Sequence, residues 1–403
     1  MKYLVILADG MGDYGIEAIG NKTPLQYAHT PNIDKMSQTS LIGMVQTIPQ
    51  GFPPGSDVAN LSVMGYDPRK YYTGRSPLEA VSMGVNLGPN DMAFRCNLVT
   101  LSDESEYEAK TMVDYSSGEI SSAESARLID ALQAELGNDI FHFYAGISYR
   151  HLMVWKDGIN GSFRLTPPHD ISSRKIADYL PQGDDGDALL DLMKKSTAIL
   201  KNHPVNEERR RKGLNPATSV WLWGEGSKPA LSSFADKYNL KGSVVAAVDL
   251  VKGLGICAGL KPVIVPGATG GVETDFAGKA RAALDELKSG QDFVYLHIES
   301  PDEAGHQGKM ETKVWSIEQV DKLVVGMVLS EMDSFDDLRV MLLPDHRTPV
   351  ALRTHTSDPV PYMIFDKTRP CLNSIGKYDE EAAVEGKFFP DCTILMDHFI
   401  KEH

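Results

Sequence analysis

Apolar positions in this chain come in two textures. Near the start they form unbroken runs. "YLVILADG" (3–10) is apolar with β-branched members and closes on Asp9-Gly10, the pattern of a central parallel strand buried on both faces with a carboxylate at its C-terminal edge. "TPNIDKMSQTS" (30–40) predicts a short capped helix, "LIGMVQTI" (41–48) a second strand, and "GRSPLEAVSMGV" (74–85) a helix with Pro77 in its first turn. From about residue 88 the texture changes. "MAFRCNLVT" (92–100), "FHFYAGISYRHLMVW" (141–155) and "GSFRLTPPHD" (161–170) are strand-like runs with long polar interludes. An amphipathic helix is expected at "SSAESARLIDALQAELG" (121–137), and 185–213 reads as mostly helix broken near Pro204.

After 213 strands and helices alternate again. "SVWLWGEG" (219–226), "GSVVAAVDLVKGLGICAG" (242–259), "KPVIVPGATGG" (261–271), "DFVYLHIES" (292–300), "LRVMLLPDH" (338–346) and "PVPYMIFDK" (359–367) supply strands, and "DFAGKARAALDELKSG" (275–290) a helix with a Gly stop. The rhythm predicts an α/β fold: a mostly parallel sheet flanked by helices, plus an inserted α+β domain. The expected division is a core of 1–87 and 186–403 with the insert at 88–185.

Two turn-rich stretches interrupt the first part. "GMGDYG" (10–15) fits GxGxxG after a strand, but no sustained helical period opens inside it, as a dinucleotide site requires. It is expected to be a turn with Gly packed beside a strand-end Asp. "GFPPGSDVANLSVMGYDP" (51–68) places Ser56 at a loop-to-helix junction. Two roles fit that place: a helix N-cap, or a nucleophile whose product faces the helix N-terminus. The local sequence leaves both open.

Composition narrows the partners. The 403 residues are 42% hydrophobic, enough for a large core in two domains or more. A net charge of -15 argues against nucleic acid and against an anionic membrane surface. It does not exclude a phosphorylated substrate, because the field in a site is set locally. The four cysteines, Cys96, Cys257, Cys371 and Cys392, are far apart and suggest a reducing compartment. The first apolar run, about six residues, is too short for a signal peptide or a membrane span, so a cytoplasmic location is expected.

The chemistry gathers at strand ends, where ligands collect in such sheets. Asp9 closes one predicted strand, Asp302 follows a second, and Asp345-His346 close a third. His306 lies four residues after Asp302, a spacing that can bring both to one side of a helical turn. His355 lies in the loop beyond His346. Mixed carboxylate and imidazole ligation suits manganese, zinc or cobalt, with magnesium less natural, and this many ligands can serve two divalent ions. Such a cluster stabilises charge on a transferring phosphoryl group.

Together, "LADGMGD", "PPGSDVANLSVMGYDP", "YYTGRSPLEA", "DEAGH" and "PDHRTP" followed by a His resemble the alkaline phosphatase superfamily. More narrowly, with "TPPHD", "YRH", "WGEG" and "VPGATGG", the chain resembles archaeal-type cofactor-independent phosphoglycerate mutases along essentially its whole length. The resemblance implies two ions, one among Asp9, Ser56, Asp345 and His346, the other among Asp302, His306 and His355. It implies that Ser56 becomes a phosphoserine while 3- and 2-phosphoglycerate interconvert without bisphosphoglycerate. The long bacterial form has Asn before its nucleophile and Gly-His after it, whereas this chain has Gly55 before Ser56 and Ala59-Asn60 after it, so the assignment rests on "SDVAN".

The resemblance also implies that the insert closes over a small phosphorylated carboxylic acid and keeps water from the phosphoenzyme. Arg75, Arg150 and His151 would contact the substrate, with Arg95, Asp114 and His169 behind them. Arg suits carboxylates and phosphates through paired bonds. Arg150 and Lys279 would join Ser56 as catalytic groups, Lys279 neutralising the phosphate or protonating a leaving oxygen. A monomer or small homo-oligomer is expected. Two other classes compete: a metal-dependent phosphomonoesterase or other phosphotransferase of the same superfamily, and a non-catalytic metal-containing binding protein. The latter predicts a missing ligand or nucleophile, and all seven positions are filled. No Walker A sequence supports a kinase.

Overall fold

A computed structural model describes residues 1–158, 161–372 and 375–401. The chain divides into two compact units, Met1–Tyr72 with Ala230–His403, and Thr73–Pro229.

Among the described residues, the first unit is built on eight strands. They are β1 (Lys2–Ala8), β2 (Ser40–Val45), β8 (Gly242–Val245), β9 (Lys261–Val263), β10 (Phe293–Ile298), β11 (Leu338–Leu343), β12 (Val360–Asp366) and β13 (Lys387–Phe389). The remaining strands, β3 to β7, belong to the second unit. The spatial order is β13-β2-β12-β11-β1-β10-β8-β9. β12 alone runs antiparallel to its neighbours, β11 and β2. β1 lies between β10 and β11, parallel to both. Its unbroken apolar run follows from that place, because helices cover both faces. Leu4, Ile6 and Ala8 enter a core shared with Ala280, Ala283 and Leu284 of the helix Phe276–Lys288. On the other face Tyr3 packs edge-on against Phe399 of the helix Cys392–Lys401, with ring centroids 5.5 Å apart. The parallel arrangement brings the C-terminal ends of β1, β10 and β11 side by side.

The second unit holds β3 (Met92–Leu101), β4 (Met112–Asp114), β5 (Phe141–Ile147), β6 (Arg150–Trp155) and β7 (Ser219–Ser227). β3 is paired antiparallel on one side with β6 and on the other with β7. The helix Ser122–Leu136 starts with a capping box, in which Ser121 and Glu124 satisfy each other's backbone N–H groups.

Two expectations change here. The unit boundaries fall at 72/73 and 229/230, not at 87/88 and 185/186. β3 needs β7 to pair its second edge, so β7 leaves the α/β core it was expected to join. The helix Gly186–Lys201 goes with it, placing Leu189, Leu192 and Met193 in the same core as Val220, Trp221 and Leu222. The strand-like run 161–170 forms no strand. Arg164 makes one isolated bridge to Gln182, and Pro168–Ile171 is a short 3₁₀ turn. Pro167 and Pro168 have no N–H to give a ladder.

Candidate metal centre

Each predicted strand-end residue of the first unit lies where the sheet places it. Asp9 follows β1, and Asp345 and His346 follow β11, all three buried. Asp302 and His306 lie on the helix Ser300–His306 just after β10, with His306 Nε2 at 3.3 Å from Asp302 Oδ2. His355 is carried by the loop beyond His346 and comes back to Asp302, Nε2 to Oδ1 at 3.4 Å. Gly10 makes the approach of these loops feasible. It has φ +60, and a Cβ there would stand 2.6 Å from the Asp302 carboxylate. The GxGxxG match therefore serves a tight turn, with no dinucleotide-type helix opening inside it.

Two groups of ligand atoms result. In one, atoms of Asp9, Asp345 and His346 all lie within 4.8 Å of one another; in the other, so do atoms of Asp302, His346 and His355. His346 stands between the two. His306 belongs with the second group, its Nε2 2.8 Å from His355 Nε2.

The donor set fits divalent cations. Asp9 Oδ1 is buried and has no hydrogen-bond partner. Burial, then the carboxylates of Asp345 and Asp302, hold the Asp9 carboxyl well above its usual range, as expected of crowded carboxylates that need a cation. Burial also works to raise Asp302, but the hydrogen bonds from His306 and His355 outweigh it and hold that carboxyl well below its usual range. The imidazole tautomers fit as well. His306 Nδ1 lies 3.0 Å from the Arg353 carbonyl, which can only accept, so Nδ1 carries a proton and Nε2, facing Asp302, is the atom left for an ion. The Asp302 carboxylate raises the His306 pKa to about 9, so an ion bound there would displace a proton. Thr348 spends its hydroxyl proton on Asp302, so its oxygen accepts from His346 Nδ1, leaving His346 Nε2 bare. Neutral imidazole with a fixed outer N–H is the form that ligates metals.

Ser56 has moved one place from the expected cap. Gly55 is the N-cap of the helix Ser56–Val63 and Ser56 its first residue. The Ser56 hydroxyl is 3.1 Å from His346 Nε2, beside the Asp9 group.

Several residues that hold this centre carried no assignment in the sequence. Asn60, one turn after Ser56, bonds Asp345 Oδ2. Lys313 is fully buried and its Nζ binds the Gly12 carbonyl, Asp13 and the Thr348 carbonyl, tying the loop after β1 to the loop after β11. His297 and Glu299 lie beneath Asp9. Both sit two apart in "LHIES", a run whose strand residues are otherwise apolar, and polar groups at one face of a buried strand are the signal that could have found them.

Lys279 is turned into the core. It is fully buried, its Nζ paired with Glu299 and 3.3 Å from the His297 carbonyl. The helix that carries it packs its Lys279 face into the core beside Ala280 and Ala283.

The second unit holds the remaining candidates. Glu79 holds both Arg75 Nε, at 2.9 Å, and Arg95 Nε, at 3.1 Å. Arg95 lies over the Trp223 ring at 4.5 Å, and that ring also contacts His169, centroids 5.3 Å apart. Arg75 and Arg150 both act on the Arg95 charge, after burial itself, to lower its pKa. His151 is buried. Its Nδ1 accepts from Gly146 N, its Nε2 has no partner, and burial pulls its pKa down to about 3. Asp114 accepts from Ser116, Gly118 and Asn215.

A family model described as 2,3-bisphosphoglycerate-independent phosphoglycerate mutase matches residues 37–206. A probable 2,3-bisphosphoglycerate-independent phosphoglycerate mutase of Geobacter sulfurreducens is 50% identical over 383 residues, covering 95% of each chain. The corresponding mutase of Methanosarcina barkeri is 48% identical over 387 residues, covering 96% of each. Among solved structures, a Pyrococcus horikoshii protein superposes with a TM-score of 0.84 at 30% identity, covering 100% of this chain and 98% of that one. The cofactor-independent phosphoglycerate mutase of Thermoplasma acidophilum gives 0.68 at 25% identity, covering 100% and 99%.

Proposed function

The chain belongs to the 2,3-bisphosphoglycerate-independent phosphoglycerate mutases of the alkaline phosphatase superfamily and interconverts 3- and 2-phosphoglycerate, and we propose that Ser56 carries the phosphoryl group between the two hydroxyls. The observation that supports Ser56 is its place: Gly55 takes the cap, and the Ser56 hydroxyl faces His346 Nε2 at the edge of the ligand cluster. A hydroxyl used only to end a helix would have turned back to its own backbone.

In this proposal Asp9, Asp345, His346 and Ser56 hold one divalent ion, and Asp302, His306 and His355 the other. Manganese, zinc or cobalt suits the imidazoles best. The ions supply charge for the phosphoryl oxygens and lower the pKa of a nearby hydroxyl. Ser56 Oγ loses its proton and attacks phosphorus, the bond from phosphorus to the glycerate 3-oxygen breaks, and that oxygen takes up a proton. The glycerate then offers its 2-hydroxyl, the new P–O bond forms as the bond to Ser56 Oγ breaks, and the proton lost by the 2-hydroxyl is balanced by the one that Ser56 Oγ regains. Water must be kept out between the two transfers, or the outcome is hydrolysis. The arginine cluster of Arg75, Arg95 and Arg150 is the candidate for binding the substrate's carboxylate and phosphate charge. The four cysteines form no disulfide with one another, which supports a reducing compartment such as the cytoplasm.

Phosphorus NMR of the protein with 3-phosphoglycerate and manganese, with no bisphosphoglycerate added, tests the activity. A 2-phosphoglycerate signal without free phosphate is the expected result. Free phosphate as the only product would make the chain a phosphatase.

A further inference from the structure

A polar string runs through the interior of the first unit. Lys279 enters from the helix Phe276–Lys288 and pairs with Glu299. Glu299 Oε1 lies 3.1 Å from His297 Nδ1, and His297 Nε2 lies 3.1 Å from Asp9 Oδ2. His297 and Lys279 are fully buried, and Glu299 is buried as well. Glu299 Oε1 also accepts from the backbone N–H groups of Ala247 and Val248, just past the end of β8. The string thus ties the ends of β8, β10 and β1 to one helix.

Stability does not account for it. Apolar side chains of the same volume fill such a space at least as well as buried charges do. The string ends on Asp9, whose two oxygens are in different situations. Oδ2 faces His297. Oδ1 has no hydrogen-bond partner and points into the ligand group, 3.7 Å from His346 Nε2. The His297 contacts are close and electrostatic without the alignment of hydrogen bonds. They still fix which Asp9 oxygen is available.

We propose that His297, braced by Glu299 and Lys279, is a positioning residue that holds the Asp9 carboxylate with one oxygen presented to an ion. This rests on the two-metal reading given above. It inverts the usual arrangement, in which a carboxylate stands behind an imidazole ligand. It also gives Lys279 a role at the centre without contact to substrate.

The test is manganese titration of the metal-free full chain by calorimetry, for wild type, H297L and H297Q. H297L keeps the volume and removes the ring nitrogens; H297Q restores a donor. For H297L, affinity at one of the two sites should fall about ten- to a hundredfold, the range for loss of such outer partners. The other site should be unchanged, and H297Q should recover part of the loss. Wild-type affinity at both sites in H297L would overturn the proposal. If H297L fails to fold, as judged by circular dichroism, E299Q replaces it: one weakened site is expected, and two unchanged sites overturn the inference. If wild type binds no manganese, the two-metal reading itself falls and takes this inference with it. Two normal sites in wild type and variants alike remove the inference alone.

Discussion

Asn60 Nδ2 lies 2.9 Å from Asp345 Oδ2, although 285 residues separate them in the chain. The same amide nitrogen binds the Ser56 carbonyl at 2.8 Å, and Asn60 Oδ1 accepts from the Tyr295 hydroxyl at 2.7 Å. One buried amide therefore couples the first turn of the Ser56 helix, the end of β11 and the middle of β10. The position of Ser56 relative to Asp345 is set by this bond and not by the loop sequence alone.

Replacing Asn60 by Ala should cost about 1–3 kcal/mol of stability, because the buried Tyr295 hydroxyl and Asp345 Oδ2 would each lose their bond to Asn60. Activity should fall further than stability explains. N60D should be worse for activity than N60A, since it sets a second carboxylate against Asp345. Chemical unfolding and initial rates under metal saturation separate the two effects. An N60A enzyme with wild-type turnover would mean the amide serves folding only.

Removal of metal should abolish turnover, and manganese, cobalt or zinc should restore it. The motive is the set of carboxylates of Asp9 and Asp345, both buried, and half-buried Asp302, with imidazole nitrogens turned toward them. The ion should also stabilise the fold, by about 2.7 kcal/mol per site at a hundred times its Kd. Thermal unfolding with and without manganese, beside elemental analysis of the active protein, checks both. Full activity in protein shown to be metal-free would defeat the assignment.

The candidate ligand cluster was legible in the sequence because a parallel sheet is a strong constraint. Once β1, β10 and β11 were read as parallel strands, Asp9, Asp302 and Asp345-His346 had to share one edge. The pairing partners of later strands were less legible. β7 has the same apolar texture as the core strands, and only the free edge of β3 decides where it goes. The supporting polar residues were hidden for a different reason. Lys279 and Lys313 sit on the apolar faces of their helices, where a charged side chain is not expected, and each is paired there with Glu299 or Asp13, which are distant in sequence. An Arg or Lys that meets substrate and one that braces a ligand look alike until the fold is known.

The buried Glu299 gives a pH dependence whose sign can be worked out. Burial works to raise its pKa, but His297 and then Lys279 overcome that and bring it down to about 2. A group with a depressed folded pKa stabilises the fold fully above its unfolded value, about 4.3, and loses that contribution as pH falls toward the folded value. E299Q should therefore be less stable than wild type at pH 7 by about 3 kcal/mol, the lower end for breaking a buried pair. The gap should narrow between pH 5 and pH 2. Urea unfolding of both metal-free proteins across that range is the measurement. A gap that stays constant would show that Glu299 acts through packing and not through its charge.

Ser56 separates a phosphoenzyme from every other account of the site. Its side chain is small, Gly55 and not Ser56 occupies the N-cap, and the Ser56 hydroxyl is directed to His346. Replacing Ser56 by Ala therefore removes no cap bond and little volume, so the fold should be kept, with stability changed by well under the ~1 kcal/mol that a lost cap costs. Mutase activity should be lost, because the attacking oxygen is removed with the side chain. Intact-protein mass spectrometry of rapidly quenched enzyme and substrate should show one added phosphoryl group on wild type, mapping to Ser56, and none on S56A. An S56A variant that still isomerises near the wild-type rate would take Ser56 out of the mechanism. An adduct mapped to another residue would transfer the role there, and would leave the contact between Ser56 and His346 as a structural one.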